Sequence, residues 1–309
     1  MKYLDDDVVK DLLENKWLEI AEAIESAFVD ESAEMVPKVY LDGWGGDFRA
    51  MPAALGDYAA VKWIGVFPSN WQKEKHTTAG ALILSDRRTG ETLLAMDCRT
   101  LTAYRTAVTS AIAAKYCAPD AKEFAIIGCG LQGRYHVEAY EAICQNHMNL
   151  SISLYDHNER AQSIFFNWLG RESLCQSWGR NESVKEAVRH ADVITTLTPS
   201  TEAYLDILDI PNNCHINAVG ADAVGKRELM TNVIDGSANI ICDDPMQALH
   251  SGELQYNEWP HLDVNSMNYL LKNHKSMQLD KGISVFDSTG VAIEDIAIAE
   301  LLYRYANSN

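Results

Sequence analysis

Basic residues are scarce in this chain: 26 lysines and arginines stand against 44 aspartates and glutamates, and the formal net charge is −18 at pH 7. A surface this acidic repels phosphate backbones and anionic lipids. The sequence also lacks any run of 18 apolar residues, so we expect no segment that spans a bilayer. Neither nucleic acid nor a membrane is therefore expected as a partner.

Metal-binding motifs and a secretory leader are missing as well. The nine histidines form no His-Glu-x-x-His motif and no Cys/His cluster, so we predict no metal site. The first seven residues contain three aspartates and no apolar core, so we expect no signal peptide. The seven cysteines are scattered and odd in number, which is typical of free thiols in a reducing cytoplasm. We predict a cytoplasmic protein.

A glycine-rich turn is the most informative feature that the sequence does contain. The apolar run Phe124–Ile127 predicts a buried strand, and Gly128, Gly130 and Gly133 follow it in G-x-G-x-x-G spacing before a helical segment, Leu131–Asn146. In a dinucleotide-binding turn, these glycines allow the tight turn, the close approach of a pyrophosphate and the packing of helix on strand. The phosphates then lie at the helix N-terminus, where free N–H groups favour negative charge.

An acidic residue follows at the distance that this motif requires. The predicted strand Leu150–Tyr155 ends at Asp156, whose carboxylate can accept both ribose hydroxyls of NAD and repels the extra phosphate of NADP. The alternative is an ordinary glycine turn with Asp156 as a helix N-cap. Arg160 lies one turn further on and can reach a 2′-phosphate, so NADP stays open as a second cofactor.

The order of predicted elements divides the chain near Pro119. Length and a hydrophobic content of 47% fit about two domains. Residues 119–290 alternate strands and helices, which predicts an α/β fold with a Rossmann-type doubly wound parallel sheet. Residues 1–118 predict a mixed α+β domain, completed by the C-terminal helix within 291–309. The glycine-rich segment 43–46 is either a flexible loop or a simple turn.

Four further stretches occur in order around the glycine loop: Arg105–Ala111, Val219–Leu229, Gln247–Leu254 and Phe286–Asp295. With the loop, they resemble the ornithine cyclodeaminase/mu-crystallin family over nearly the whole chain. That family includes ornithine cyclodeaminase, alanine dehydrogenase, cyclic-imine (ketimine) reductases, opine-like amino-acid synthases, and mu-crystallin, which binds thyroid hormone. The resemblance implies a homodimer formed through the first domains, which are small for a free-standing core.

Three basic residues of the first domain are candidates for binding a substrate carboxylate. Arginine grips a carboxylate with paired donors, and lysine does so as a point charge. The resemblance assigns this role to Arg49, Lys62 and Arg105. The alternatives are a surface-loop arginine, an outward-facing strand lysine, and an arginine paired to a structural carboxylate, respectively. Lys62 lies in an apolar run, where an unpaired charge is costly, and it can also polarise a carbonyl or carbinolamine.

Asp222 is the candidate proton donor and acceptor. It follows the predicted strand Cys214–Val219 at the carboxyl edge of the sheet, where ligands of open α/β sheets bind. An aspartate there can accept a proton from an amine or protonate an imine, and the resemblance places the family's catalytic aspartate at this position. The alternative is an N-cap for a helix over Gly225–Met230.

The remaining candidates concern the cofactor. The resemblance assigns contacts to Thr106, Lys226 and Ser288, and Thr198 and Ser200 are predicted to line the nicotinamide side, with a solvated loop as the alternative for Ser200. The complete predicted cofactor set is Thr106, Gly128, Gly130, Leu131, Gln132, Gly133, Asp156, Arg160, Thr198, Ser200, Val219, Gly220, Lys226 and Ser288. His136 is interpreted as a helix-surface histidine, and Asp243-Asp244 as the N-cap of a helix over Pro245–Ser251.

The sequence therefore predicts an NAD-dependent oxidoreductase that transfers hydride between the nicotinamide and the Cα of a small L-amino acid or its imine, as in alanine dehydrogenases and cyclic-imine reductases. The first alternative is an ornithine cyclodeaminase, in which the hydride returns after ammonia has left. The second belongs to another class: a mu-crystallin-like protein that binds a ligand with its cofactor and has no relevant turnover.

Overall fold

The computed structural model describes residues 2–73, 75–144, 149–257, 262–273 and 281–307. The chain forms two compact units, one of Met1–Thr109 with Val291–Asn309 and one of Ser110–Gly290. The sequence predicted a division near Pro119, whereas these two units divide between Thr109 and Ser110, inside the helix that precedes Pro119. Within the described ranges, no helix is long and apolar enough to cross a membrane.

The first unit is built on a mixed sheet. Its strands are β1 (Lys2–Leu4), β2 (Glu34–Met35), β3 (Val39–Gly43), β4 (Gly46–Leu55), β5 (Tyr58–Val66), β6 (Thr78–Asp86) and β7 (Thr92–Asp97). They run in the order β1-β7-β6-β5-β4-β2, with β3 also paired to β4, and among these described strands only the β1–β7 pair is parallel. The helices are α1 (Asp6–Leu13), α2 (Trp17–Val29), the first part of α3 (Arg99–Cys117), and α10 (Ala292–Asn307).

The two faces of this sheet differ because side chains alternate along each strand. Met51, Lys62, Leu82 and Met96 are register partners across four strands, and all four are buried. Helix α10 packs against β4, β5 and β6 and also against α2. The neighbouring positions project from the opposite face, where Trp63 is 43% exposed.

The second unit holds an all-parallel sheet. Its strands are β8 (Glu123–Ile127), β9 (Ser151–Tyr155), β10 (Ser177–Arg180), β11 (Val193–Thr196), β12 (His215–Ala218), β13 (Asn239–Cys242), β14 (Val264–Ser266) and β15 (Ser284–Asp287), in the order β10-β9-β8-β11-β12-β15-β13-β14. The helices are α4 (Leu131–Ile143), α5 (Glu159–Glu172), α6 (Val184–Val188), α7 (Thr231–Asp235), α8 (Pro245–Ser251) and α9 (Met267–Asn273). The order β10-β9-β8-β11-β12 reverses between β8 and β11, which is the point where such sheets bind nucleotides. The predicted α/β fold class is confirmed.

Several local predictions differ from the structure. Strand β4 was not predicted, because Pro52 interrupts its sequence; β3 and β2 pair with β4 on either side of Pro52, so the missing N–H falls between two partner strands. Segment 43–46, for which a flexible loop and a simple turn were both left open, contains a two-residue turn between β3 and β4, with Gly45 at φ +94°. No helix forms over Gly225–Met230; Gly225 lies in a turn, with φ +84°. The predicted helix from Leu131 ends at Ile143, and its predicted end at Asn146 lies outside the described residues.

Candidate cofactor and substrate sites

The glycine turn joins β8 to α4 in the second unit. Gly128 has φ +109°, and a Cβ on it would lie 2.9 Å from the carbonyl oxygen of Leu197, so only glycine fits without strain. A Cβ on Gly133 would lie 2.9 Å from both the Gly128 carbonyl oxygen and the Phe165 ring. Both glycines therefore keep the start of α4 close to β8, as the motif requires.

The turn fits a pyrophosphate at its outer side. A Cβ added to Gly130, the N-cap residue of α4, would meet no atom within 4 Å, so the backbone can be approached closely there. The side-chain oxygen of Gln132 is buried with no hydrogen-bond partner among the described residues. Leu131, between them, is half exposed. Backbone N–H groups at this helix start can hold phosphate oxygens.

Asp156 is hydrogen-bonded to the glycine turn. Its Oδ2 accepts the Cys129 N–H at 2.8 Å, and its Oδ1 accepts the Asn158 N–H at 2.8 Å. The N-cap of α5 is Asn158, so Asp156 is not a helix cap. Arg160 lies in the first turn of α5 and is exposed. The structure thus brings the predicted ribose-binding carboxylate to the predicted phosphate-binding turn.

Three loops at the carboxyl edge of the sheet carry most of the other cofactor candidates. The Thr198 hydroxyl donates to Oε1 of Glu228 at 2.7 Å, and the Ser200 hydroxyl donates to the Glu202 carbonyl at 2.7 Å. The N–H groups of Val219 and Gly220 both donate to the Thr196 carbonyl. Ser288 is buried, and its N–H donates to the carbonyl of Ala218 at 2.9 Å. These loops are therefore joined to one another by backbone hydrogen bonds.

Asp222 lies in the loop after β12 and is paired with another predicted site residue. Lys226 Nζ lies 2.5 Å from Asp222 Oδ1, and both side chains are partly exposed, at 17% and 30%. Because residues 225–230 form no helix, Asp222 is not the N-cap that was its alternative. Lys226, which is predicted to contact the cofactor, pairs with the candidate proton donor.

Lys62 is buried in the first unit and faces a carboxylate. It is 1% exposed, so it is not an outward-facing lysine. Its Nζ lies 2.7 Å from Oδ1 of Asp295 on α10 and 3.5 Å from Oγ1 of Thr102. Burial lowers the pKa of Lys62, because water no longer solvates the charged form, and Asp295 opposes that shift.

Arg105 joins the same cluster. Its Nη1 donates to Oε2 of Glu294 at 2.8 Å, and its Nε lies 3.5 Å from Oδ1 of Asp295. The pairing with a carboxylate, which was the alternative for Arg105, is thus present. Thr106 is buried on the next position of α3, and its hydroxyl donates to the Thr102 carbonyl at 2.7 Å.

Arg49 lies on β4 and not on a surface loop. It is 3% exposed, its Nε donates to Oδ1 of Asp47 at 2.6 Å, and its guanidinium lies 5.5 Å from the Tyr40 ring centre. Arg49 is the register partner of Ile64, two positions from Lys62, so both cations project from the buried face of the sheet. Each of the three predicted carboxylate-binding cations therefore contacts an acidic side chain of its own unit.

Sequence reasoning missed several buried acids. Asp295 and Glu294 lie in an apolar stretch of α10 and are buried. Lys62 was identified because burying a charge is costly, and the same argument could have identified these two acids. Four more buried acids, Glu228, Asp243, Glu253 and Asp287, accept hydrogen bonds from backbone N–H groups of the second unit. The N-cap of α8 is Asp244 alone. Among the described residues, no group of these side chains could hold a metal ion.

His136 also differs from its interpretation as a surface histidine. It is fully buried, with Nδ1 2.8 Å from the Gln132 carbonyl and Nε2 3.1 Å from the Ser110 hydroxyl. A carbonyl only accepts, so Nδ1 carries a proton and donates to the Gln132 carbonyl. His136 is therefore a buried side chain that joins α4 to Ser110 of α3.

Comparison with known proteins agrees with the resemblance predicted from the motifs. The model of the ornithine cyclodeaminase/mu-crystallin family matches residues 6–309. An alanine dehydrogenase of Archaeoglobus fulgidus is 36% identical over 304 residues, which cover 94% of this chain and 91% of that protein. An ornithine cyclodeaminase of Agrobacterium fabrum is 32% identical over 289 residues, covering 92% and 80% respectively.

Two solved structures share the fold over nearly their whole length. An archaeal alanine dehydrogenase dimer with bound NAD superposes with a TM-score of 0.90 at 33% identity, covering 99% of this chain and 96% of that one. The Δ1-pyrroline-2-carboxylate reductase of Thermococcus litoralis, in complex with NADH and L-proline, has a TM-score of 0.90 at 25% identity and covers 100% and 98%.

Proposed function

Because this chain belongs to the ornithine cyclodeaminase/mu-crystallin family, we propose that it is an NAD-dependent oxidoreductase that transfers hydride between the nicotinamide and the Cα of a small L-amino acid or its imine. The observation that carries this proposal is the hydrogen bond from the Cys129 N–H of the glycine turn to Asp156. It places a carboxylate suited to the ribose hydroxyls of NAD beside a turn suited to its pyrophosphate. The relatives that act on alanine and on a cyclic imino acid support the substrate class.

The proposed roles follow from the charges of the two units. Arg49, Lys62 and Arg105 hold the substrate carboxylate, as buried cations on or beside one sheet face. NAD, when bound, supplies the hydride acceptor at the nicotinamide. As the Cα–H bond breaks, the amine nitrogen forms a double bond to Cα, and Asp222 takes the proton that this nitrogen releases. In the reverse direction Asp222 protonates the imine nitrogen. Lys62 is the second candidate for that proton transfer.

A second candidate function is ornithine cyclodeamination, which the similarity to the Agrobacterium enzyme favours. There the α-amine is oxidised to an imine, the side-chain amine adds to the imine carbon and closes the ring, ammonia leaves, and the hydride returns to the cyclic imine. The two functions use the same hydride step and differ in its balance. A dehydrogenase or reductase changes the NADH absorbance in proportion to product, whereas a cyclodeaminase releases ammonia with no net change in NADH.

The test is a panel of substrates for which both the change in NADH absorbance and the release of ammonia are measured. Purified protein is incubated with NAD and L-amino acids, with NADH and 2-oxo acids plus ammonia or amines, and with NADH and cyclic imines. A matching change in NADH absorbance with one of these substrates supports the oxidoreductase. Ammonia release from ornithine at constant NADH supports the cyclodeaminase. Tight binding of substrate and NADH with neither change supports a ligand-binding protein, against which the acidic Asp222 argues, since binding alone needs no proton acceptor.

We also propose that the protein is a homodimer formed through the first unit. The face of the mixed sheet opposite α10 carries apolar side chains on four strands: Val39, Leu41, Phe48, Ala50, Val61, Trp63, Ala81 and Ile83. Val39, Leu41, Trp63 and Ile83 are each more than 40% exposed. A contiguous apolar face of this kind marks an interaction surface. The dimeric state of the archaeal alanine dehydrogenase supports a second copy of the chain as its occupant.

The proposed location is the cytoplasm. All seven cysteines are free thiols, and six of them are buried. A reducing compartment keeps thiols in this state. Seven titratable thiols per chain after denaturation without reductant would agree with this location, and fewer would contradict it.

A further inference from the structure

Glu228 holds two loops at the carboxyl edge of the parallel sheet. Its Oε1 accepts hydrogen bonds from the N–H of Thr198, the hydroxyl of Thr198 and the hydroxyl of Tyr204, each at 2.7 Å. Its Oε2 accepts the N–H of Gly220 at 2.8 Å. The side chain is fully buried, and all four donors are uncharged. Burial raises the pKa of Glu228, and the hydrogen bonds oppose that shift.

The two loops belong to adjacent strands. Thr198 follows β11 and Gly220 follows β12, which pair in parallel, so one carboxylate bridges the ends of two neighbouring strands. The contact also explains the glycine at position 220. A Cβ there would lie 2.2 Å from the Thr198 carbonyl oxygen and 2.5 Å from the Glu228 carboxyl carbon. Only glycine lets the carboxylate lie directly against the backbone of this loop.

Glu228 is itself fixed by a second buried acid. Glu253 accepts the N–H of Glu228 at 2.7 Å and the N–H of Leu229 at 3.2 Å. Asp287, at the end of β15, accepts the N–H groups of Glu253 and Leu254, both at 3.1 Å. Burial raises the pKa of Glu253 to about 9 and that of Asp287 to about 8. The backbone of Glu228 is thus held by Glu253, and the backbone of Glu253 is held by Asp287.

We propose, on the basis of the function proposed above, that Glu228 is a positioning residue for the hydride transfer. Through the Gly220 N–H it fixes the loop that carries Asp222 two residues later, and through Thr198 it fixes the neighbouring loop on the nicotinamide side. Glu228 touches neither substrate nor cofactor in this role. It sets the position of Asp222, which would exchange the proton, and the position of the Thr198 loop, which would line the nicotinamide side.

The Glu228→Gln variant tests this role. An amide keeps an oxygen for the three donors at Oε1 but turns an N–H towards the Gly220 N–H, so that one hydrogen bond becomes a repulsive contact. We expect kcat to fall about 10- to 100-fold, as a displacement of catalytic groups by about 1 Å does. The dissociation constant of NADH should change less than about threefold, because the glycine turn and Asp156 are untouched.

The matched control is Glu141→Gln. Glu141 is a buried acid of the same unit whose Oε1 accepts the N–H of Leu174 at 2.8 Å, and no hydrogen bond described above joins it to Glu228, Glu253 or Asp287. If Glu228 only stabilises the fold, the two variants will lose kcat in proportion to their loss of unfolding stability. That result overturns the proposal. A loss of kcat in Glu228→Gln that clearly exceeds the loss in an equally destabilised Glu141→Gln supports it.

Hydrogen exchange makes the test independent of turnover and of the variant's folding. In the unmodified protein without cofactor, the amides of Thr198 and Gly220 should exchange as slowly as those of β12. Fast exchange at both amides overturns the proposal. If no substrate gives hydride transfer, the proposed function fails, while slow exchange in the unmodified protein and faster exchange over residues 218–223 in Glu228→Gln still support the positioning of this loop.

Discussion

Nζ of Lys62 lies 2.7 Å from Oδ1 of Asp295, and neither side chain is more than 2% exposed. This pair neutralises a lysine in the middle of an apolar sheet face. Burial favours the uncharged amine, whereas the carboxylate favours the ammonium. The protonation state of the candidate catalytic lysine therefore depends on a residue of the last described helix.

Asp295→Asn should shift the alkaline limb of the pH profile. Burial already lowers the pKa of Lys62, and without the carboxylate this pKa falls further. If a step needs the ammonium form, activity in the variant should therefore decline at a lower pH than in the unmodified protein. The variant also leaves a buried cation without its partner, which costs about 3–5 kcal/mol of unfolding free energy. Between the folded and the unfolded pKa of this lysine the unfolded chain binds more protons, so stability in that window should rise with pH. Measurements are kcat/KM against pH and urea unfolding at two pH values.

The neighbouring Glu294→Gln variant is the control for this shift. Glu294 contacts Arg105, with Nη1 to Oε2 at 2.8 Å, and no contact described above joins it to Lys62. It should lose stability without moving the alkaline limb. An equal shift in both variants would show that the limb does not belong to Lys62.

Arg105→Ala should weaken the binding of substrate carboxylate and leave NAD binding intact. The loss of a charge-assisted contact costs about 1.5–3 kcal/mol, or roughly 10- to 150-fold in affinity. The same change leaves Glu294 buried without its arginine, so stability falls too. The double variant with Glu294→Gln should recover stability but not KM. Recovery of both would mean that Arg105 is only a structural partner of Glu294.

Asp156→Ser should move the preference from NADH towards NADPH. The carboxylate repels a 2′-phosphate at close range, and its removal lifts that penalty. The variant also loses the hydrogen bond that Asp156 accepts from the Cys129 N–H, so NADH should bind more weakly than to the unmodified protein. Titrations with both cofactors, followed by protein fluorescence, give the ratio. Equal affinity of the unmodified protein for NADH and NADPH would contradict the assignment.

Asp222→Asn should lower turnover on the order of 10²–10⁴-fold with little change in NADH affinity, because an amide keeps the shape but cannot take a proton. Lys226→Met is the comparison, since it removes the cation 2.5 Å from Asp222 and keeps the carboxylate. It should lose much less turnover than Asp222→Asn. Near-normal turnover in Asp222→Asn would reassign the proton transfer, with Lys62 as the next candidate.

Ile83→Asp should dissociate the proposed dimer. Ile83 is 41% exposed on the apolar sheet face, and a buried unpaired carboxylate there is costly. Light scattering at micromolar concentration should give twice the chain mass of 34.4 kDa for the unmodified protein and the chain mass for the variant. Leu208→Asp, at an 85% exposed position of the second unit, should remain dimeric. A monomeric unmodified protein would refute the proposal.

The sequence predicted best what depends on short spacing. The glycine turn, β8 and the distance to Asp156 lie within one strand–helix–strand unit. Helix α8 has the predicted bounds, and β8 begins one residue before the predicted apolar run. Strand β4 was missed because proline argues against a strand unless the pairing of its neighbours is known. The alternative for Asp222, an N-cap of a helix over Gly225–Met230, was wrong because the chain turns at Gly225, which has a left-handed conformation.

The partners of the buried charges needed the structure. Lys62 and Asp295 are separated by 233 positions. Each lies in an apolar run, so the sequence indicates that its charge needs a partner but not which residue that partner is. Glu228 gave no signal of its role, since its contacts reach loops that only the strand order brings together. The local sequence pattern thus identifies candidate charged residues, and only the tertiary structure shows which of them are in contact.

The position of α10 at the far end of the chain has a consequence for biosynthesis. The second unit is continuous, from Ser110 to Gly290, whereas the sheet that holds Lys62 is completed only by residues after 290. During translation the second unit can fold as soon as it leaves the ribosome. Lys62 and Arg105 can pair with Asp295 and Glu294 only after α10 has also been made. A chain that stalls before α10 is made, or loses α10 to proteolysis, would thus contain a folded second unit and an incomplete first unit. In that first unit, the sheet face that carries Lys62 would lack the helix that packs on it.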